Sequence, residues 1–297
     1  MKSFSKYTLL AILGLTAFAA CKKEYEGIEQ IDDRNVTAYI QQNNLSQMQQ
    51  YQNTGMFYQV LTPGSGAEMK YSDKVPLVFT VRSLDGQYSS QDTFMASNRY
   101  IDFLGYFQPE GMHTILKEGL KNSGGTIRII IPSRLAYGRN GSGSIPGNAS
   151  LDVVVHALEA SKMPQYDDLS INKYMQANNL SGFTKTNTGL YYKISDPGTG
   201  SPIAVDSTVS AEYTGKLFNG KIFDQAVAGK ANTFKLSEVI PAWQQAIPLL
   251  KKGGSMRILV PSALAYGDIG SANGYGQSII PPFSCLDFDV KVTEVKR

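Results

Sequence analysis

The sequence predicts an α+β chain in which one architecture, an antiparallel sheet folded over a single short helix, is used twice. Three observations carry that reading. The two halves repeat one another segment by segment. The repeated segments are short β runs punctuated by glycine and proline turns. One apolar helical stripe interrupts them before a Gly-Gly stop.

The repeat is direct. Tyr39-Ile-Gln-Gln-Asn-Asn-Leu-Ser46 returns as Tyr174-Met-Gln-Ala-Asn-Asn-Leu-Ser181, and Asn53-Thr-Gly-Met-Phe-Tyr58 as Asn187-Thr-Gly-Leu-Tyr-Tyr192. Pro63-Gly-Ser-Gly66 returns as Pro197-Gly-Thr-Gly200, and Ile131-Pro-Ser-Arg-Leu-Ala-Tyr-Gly138 as Val260-Pro-Ser-Ala-Leu-Ala-Tyr-Gly267. Each unit opens with a short amphipathic helix, near 34–44 and 168–179. In the second unit Gly189–Ile194 reads as a strand, Asp196–Gly200 as a turn and Ser207–Thr214 as another strand. Asn219-Gly220 signals a hairpin. Pro241 suits a helix N1 position, and Trp243, Ala246, Ile247 and Leu250 fall on one helical face that Gly253-Gly254 ends. Met256–Val260 and Cys285–Val292 supply further strands.

Composition narrows the chemistry. The 297 residues are 42% hydrophobic and 18% charged, which suits one large core or two smaller ones. Twenty-eight Lys and Arg against 25 Asp and Glu leave a net charge of +3, too even to neutralise a run of phosphates, so nucleic acid is not expected as a partner. His113, His156, Cys21 and Cys285 lie far apart without metal-ligand spacing, and no P-loop, dinucleotide fingerprint or nucleophile elbow occurs. No cofactor or metal is expected.

The amino terminus reads as an export signal over 1–20: Lys2 and Lys6, an apolar run from Tyr7 to Ala20 too short to span a bilayer, then Phe18-Ala19-Ala20-Cys21. Small residues before a cysteine resemble the bacterial lipobox, with Phe18 in place of the usual Leu. The resemblance implies a lipid on Cys21, and the alternative is plain cleavage after Ala20 with a free thiol. Lys22, where an aspartate favours inner-membrane retention in enterobacterial lipoproteins, points by analogy to an outer-membrane anchor in a Gram-negative envelope. Residues 21–33 are polar and read as a solvated tether. Domain limits of 34–160 and 165–297 follow. Cys285 sits in an alternating run and reads as a small packing residue.

The second unit, over about 190–297, resembles the FKBP-type peptidyl-prolyl cis-trans isomerases. The marks are Tyr213-Thr214-Gly215, Phe223-Asp224, Val239-Ile240-Pro241-x-Trp243, Leu264-Ala265-Tyr266-Gly267, Ile279-Ile280-Pro281-Pro282 and Phe288-Asp289-Val290. They stand in the family's order, with a longer loop before Ile279. The resemblance implies a sheet half-wrapped around the helix, with a proline pocket between them. Trp243 would be its floor, and Tyr213, Phe223, Val239, Ile240 and Phe288 its walls. The Tyr266 hydroxyl and the Ile240 N–H would hold substrate carbonyls, Asp224 would be a second polar group, and Ile280 would border the pocket beneath the loop. Proline-containing polypeptides are the implied partners, and macrolide inhibitors are possible ligands.

The residue types suit that chemistry. Rotating an X-Pro bond breaks no covalent bond but suspends amide resonance, a barrier of roughly 18–20 kcal/mol. A water-poor aromatic box disfavours the charge-separated planar amide, and a few directed hydrogen bonds hold the twisted one. Each residue also has a plainer reading. Trp243 fits a core stripe, Tyr266 packing, Asp224 a turn cap, and Gly267–Ser278 either a lid or a solvated hairpin loop.

The first unit keeps Leu135-Ala-Tyr137-Gly138 and Ile145-Pro146 but not the box. Phe79 stands at the place of Tyr213, Ser89-Ser90 at Phe223-Asp224, and Val153 at Phe288. Counting back from Gly124-Gly125 sets Thr114 opposite Trp243, or Leu116 if two residues were deleted. Little or no isomerase activity is expected there, and peptide docking, dimerisation or spacing from the membrane are its candidate roles. For the whole chain the expectation is an exported, lipid-anchored folding catalyst active in its second unit. The alternative is a proline-peptide-binding chaperone or assembly module without turnover.

Overall fold

Two antiparallel sheets, each pinned between two helices, follow from alternation in their central strands. The computed structural model describes residues 26–90 and 99–296. The export signal, Cys21 and the start of the tether lie outside the described residues.

The first unit runs α1 (Ile28–Gln42), β1 (Gln49–Tyr51), β2 (Met56–Thr62), β3 (Lys74–Ser83), β4 (Arg99–Phe103), α2 (Glu110–Ile115), β5 (Gly125–Ile131) and β6 (Leu151–Ala157). Its sheet order is β1-β2-β5-β6-β3-β4. The second runs α3 (Met163–Ala177), β7 (Thr184–Lys185), β8 (Tyr191–Asp196), β9 (Thr208–Leu217), β10 (Ile222–Ala226), β11 (Asn232–Lys235), α4 (Pro241–Ala246), β12 (Ser255–Val260), the hairpin β13 (Ser271–Ala272) and β14 (Ser278–Ile280), and β15 (Leu286–Lys296). Its sheet order is β10-β9-β15-β12-β8-β7, with β11 also on β9.

One face of each sheet buries the short internal helix. Met112, Ile115 and Leu116 of the first unit pack on Ile127, Ile129, Val153 and Val155, and Trp243, Ala246 and Ile247 of the second pack on Ile258, Phe288 and Val290. Residues of opposite parity carry the other face, as the two-residue strand period requires. There Val36 covers Ile130, and Ile171 and Tyr174 cover Leu259 and Phe218. The Tyr174 and Phe218 rings stack at 4.0 Å.

Each leading helix is fastened by the same polar clasp. The Tyr39 hydroxyl donates to Asp152 at 2.8 Å while Arg128 donates to both of its carboxylate oxygens. In the second unit Tyr174, Arg257 and Asp287 repeat this with distances of 2.8, 2.8 and 2.6 Å. Burial, then the Asp287 charge, push the Tyr174 hydroxyl up to about 12.

Both leading helices begin before the positions expected for them. The turn Ala160–Lys162 runs straight into α3 at Met163, so the expected boundary at 165 falls inside a helix, and the residues read as tether are helical from Ile28. The reason lies in Asp32, which looks solvated in sequence but is buried, accepting from Ser150 Oγ and the Arg134 N–H. Pro164 occupies the first turn of α3, where its missing N–H has no consequence.

The internal helices also correct the count across the repeat. Gly111, Met112, Ile115 and Leu116 carry the same burial phase as Ala242, Trp243, Ala246 and Ile247. Met112 therefore stands where Trp243 does, not Thr114 or Leu116. The first unit has gained residues, one of them in the π turn Leu116–Leu120 that continues α2.

Candidate active site

The second unit holds a cavity of about 330 Å³ lined by Tyr213, Phe223, Asp224, Phe234, Glu238, Val239, Ile240, Trp243, Tyr266 and Phe288. Strand register brings most of them together. Tyr213 lies on β9 beside Val290, and Asp224 on β10 faces Gly215, which in turn faces Phe288 on β15. Trp243 rises from the first turn of α4, set by Ile240 as its N-cap residue and Pro241 at N1.

The rings meet edge to face. Trp243 lies 5.1 Å from Tyr213, 5.2 Å from Phe234 and 5.5 Å from Phe288, and Phe223 lies 5.5 Å from Phe288. These are favourable aromatic geometries. The indole Nε1 has no partner among the described residues, so ring packing alone holds it.

Eight of the nine expected site residues line the cavity. Ile280 does not: at 3% exposure it is part of the core behind it, because β14 turns it under the hairpin. Phe234 and Glu238 line the cavity but were not singled out from the sequence. Phe234 on β11 pairs with Val209, four residues before Tyr213 on β9, a pairing that no local pattern in the sequence marks. The Gly267–Ser278 segment closes into the β13–β14 hairpin, with Tyr275 at its tip 92% exposed. Cys285 is buried, and that burial pushes its thiol up, as fits a packing residue.

The polar side of the cavity is a tyrosine pair around one carboxylate. The Tyr213 hydroxyl donates to Asp224 Oδ2 at 2.7 Å and accepts from Asn232 Nδ2 at 3.3 Å. Burial, with the Asp224 hydrogen bond second, pushes Tyr213 up to about 12, and burial with the Asp224 charge raises Tyr266. A raised folded-state value means that the stabilising protonated form persists below the ordinary value near 10 and is lost as pH rises through the folded value. Stability is therefore expected to be level to about pH 10 and to fall between there and about pH 12. Spectrophotometric titration of tyrosinate checks it, since Tyr213→Phe should remove one late-titrating group.

Gly215 explains why these rings can share one wall. A Cβ built there would lie 2.7 Å from atoms of both Phe223 and Phe288. The first unit carries Val81 at this point of β3, facing Val153 on β6, and Phe79 faces Val155 as Tyr213 faces Val290. Phe79 stacks on Tyr100 at 4.6 Å. The Tyr137 hydroxyl, counterpart of Tyr266, is directed at the Gln108 carbonyl at 3.4 Å, while the Tyr266 hydroxyl has no hydrogen bond among the described residues. Gly215→Val should consequently splay both rings, cost about 1–3 kcal/mol by overpacking, and abolish ligand binding in the cavity. Wild-type affinity in that variant, read by fluorescence of Trp243, would contradict the packing argument.

Comparison with known proteins bears on the same segment. Residues 200–293 match the family described as FKBP-type peptidyl-prolyl cis-trans isomerase. The second unit is an FKBP domain. The match takes in β9 to most of β15 and every cavity-lining residue, and leaves out α3, β7 and β8. A probable FKBP-type peptidyl-prolyl cis-trans isomerase of Haemophilus influenzae is 42% identical over 111 residues, 37% of this chain and 44% of that protein. Outer membrane protein MIP of Legionella longbeachae is 36% identical over 145 residues, 48% of this chain and 59% of that protein. The crystal structure of FkpA from Escherichia coli aligns with 33% identity and a TM-score of 0.37, over 46% of this chain and 63% of that one. The chain thus spans about half the length of the curated relatives it matches. Among the described residues no helix is long and apolar enough to cross a membrane.

Proposed function

We propose that the chain is a peptidyl-prolyl cis-trans isomerase acting on X-Pro bonds of exported or envelope polypeptides, with turnover in the FKBP domain. The observation that carries this is the 330 Å³ aromatic cavity itself, floored by Trp243 and edged by the Tyr213–Asp224 pair. Its volume suits a prolyl side chain with its flanking backbone. Trp243 supports the prolyl ring, and Tyr213, Phe223, Val239, Ile240 and Phe288 exclude water from its faces. The hydroxyl of Tyr266 and the Ile240 N–H hold substrate carbonyls, and Asp224 fixes the Tyr213 hydroxyl. Ile280 supports the wall from behind rather than touching substrate. Nothing in this scheme is a nucleophile. Transition-state binding of a few kcal/mol is enough, since each 1.4 kcal/mol is about tenfold in rate.

The domains run from about 28 to 160 and from 163 to 297, and the first is a degenerate FKBP-like domain. Val81, Val153 and Met112 stand at the places of Gly215, Phe288 and Trp243, so it has the scaffold without the aromatic box. Its role is docking or spacing rather than turnover. A lipid on Cys21 would hold the chain at the outer membrane of a Gram-negative envelope, in keeping with the relative named as an outer membrane protein. Macrolide inhibitors would compete for the same cavity.

The test is turnover of a cis-prolyl tetrapeptide by the full chain. Acceleration above the blank, lost on filling the cavity, supports the reading. A rate equal to the blank with peptide still bound leaves a proline-binding chaperone.

A further inference from the structure

The repeat exposes a gap in the second unit that the first unit fills. In the first unit buried Asp32 is served locally: the Arg134 N–H donates to it at 3.1 Å, its guanidinium lies at 3.5 Å, and that guanidinium also donates to the Thr54 carbonyl at 2.9 Å. The counterpart of Asp32 in α3 is Asp167, fully buried, but the counterpart of Arg134 is Ala263. The truncation leaves a cavity of about 340 Å³ lined by Asp167, Asp168, Thr188, Gly189 and Ala263, with Lys185 already paired to Asp168.

The missing cation comes from the other unit. Arg99, at the start of β4, is 2% exposed and pairs with Asp167, whose second oxygen accepts from the N–H and hydroxyl of Ser262. The same guanidinium donates to Ser170 on α3, lies 5.2 Å from the Tyr166 ring, and donates to the Phe283 carbonyl at 2.8 Å.

Phe283 ties this contact to the cavity. Its φ of +54° is a left-handed conformation that a bulky aromatic residue rarely adopts, whereas the first unit has Asn148 there, which tolerates it. Both peptide groups of Phe283 are held: its carbonyl by Arg99, and its N–H by the Gly267 carbonyl at 2.8 Å. Gly267 follows Tyr266, which lines the cavity.

We infer that Arg99 of the first unit is a positioning residue for the FKBP domain, holding the Tyr266 side of its pocket through Phe283. This rests on the isomerase reading above for its effect on turnover, but not for its effect on the pocket. The first unit would then be a required part of the working site although it carries no complete box of its own. Charge compensation of Asp167 and positioning of Phe283 are separable functions, because an arginine at 263 can supply the first but has no such contact with the Phe283 carbonyl.

The experiment uses the full chain as wild type, Arg99→Ala and the double variant Arg99→Ala with Ala263→Arg. Acrylamide quenching of Trp243, the single tryptophan, reads the pocket without turnover. Arg99→Ala should lower the unfolding midpoint, make Trp243 about twofold more quenchable and raise KM for a prolyl tetrapeptide about fivefold with kcat little changed, the pattern of lost uniform binding. The double variant should recover the midpoint yet keep the altered quenching and KM. Recovery of all three would make Arg99 a charge partner only and overturn the positioning role, as would an Arg99→Ala protein matching wild type. A wild-type chain without turnover would sink the isomerase reading alone, and quenching would still decide the role of Arg99.

Discussion

Trp243→Ala is expected to reduce kcat/KM for a cis-prolyl peptide by about a hundredfold or more, equivalent to roughly 2.7 kcal/mol of transition-state stabilisation. Among the described residues the indole is the one ring in contact with Tyr213, Phe234 and Phe288 together, so its removal opens the cavity floor and loosens three walls at once. At 4% exposure it is also core, and truncation should cost about 3–5 kcal/mol of stability. The two effects separate in Trp243→Phe, which keeps an apolar ring: stability should largely return while activity stays several-fold low. Denaturant unfolding and peptide turnover on the same samples check this. Full activity in folded Trp243→Ala would remove the indole from the site.

Asp287→Ala should be the most damaging single change away from the cavity. It takes the acceptor from Tyr174 and from both donors of Arg257, leaving a half-buried guanidinium with only the exposed Asp289 carboxylate, at 3.8 Å, as counter-charge. Losing one partner of a buried pair costs about 3–5 kcal/mol. Replacing the whole clasp, Asp287→Leu with Arg257→Met and Tyr174→Phe, should recover most of that loss, because no charge is then stranded. Urea titration of the single and triple variants decides it, and equal stability of Asp287→Ala and wild type would make the clasp incidental. In the first unit Asp152→Ala should behave alike, since Tyr39 and Arg128 surround it in the same way.

What the sequence revealed, and what it did not, divides along physical lines. Period-two alternation in β15 and the stripe from Trp243 to Leu250 are local patterns, and both were legible. The box residues were legible because they stand in motifs, and eight of nine meet around one cavity. Ile280 was misplaced because facing a pocket and lying behind it look alike in a strand of two isoleucines. The leading helices were begun late because Asp32 and Asp167 look like solvent residues, and only the folded repeat shows them turned inward to Arg134 and Arg99. Met112 was missed opposite Trp243 because the first unit gains two residues before Gly124, one of them in a π turn, and neither marks the sequence. Arg99 gave no signal: its meaning depends on residues far along the chain, and on an alanine where the first unit has arginine.

The polar clasp on α3 bears on how this protein can be dissected. Cutting it at the limits of family similarity, residues 200–293, would discard Tyr174 together with β8, the neighbour of β12. The excised piece would expose an unpaired strand edge and strip Asp287 of its phenolic donor, inviting self-association of a fragment whose aromatic box was still encoded in full.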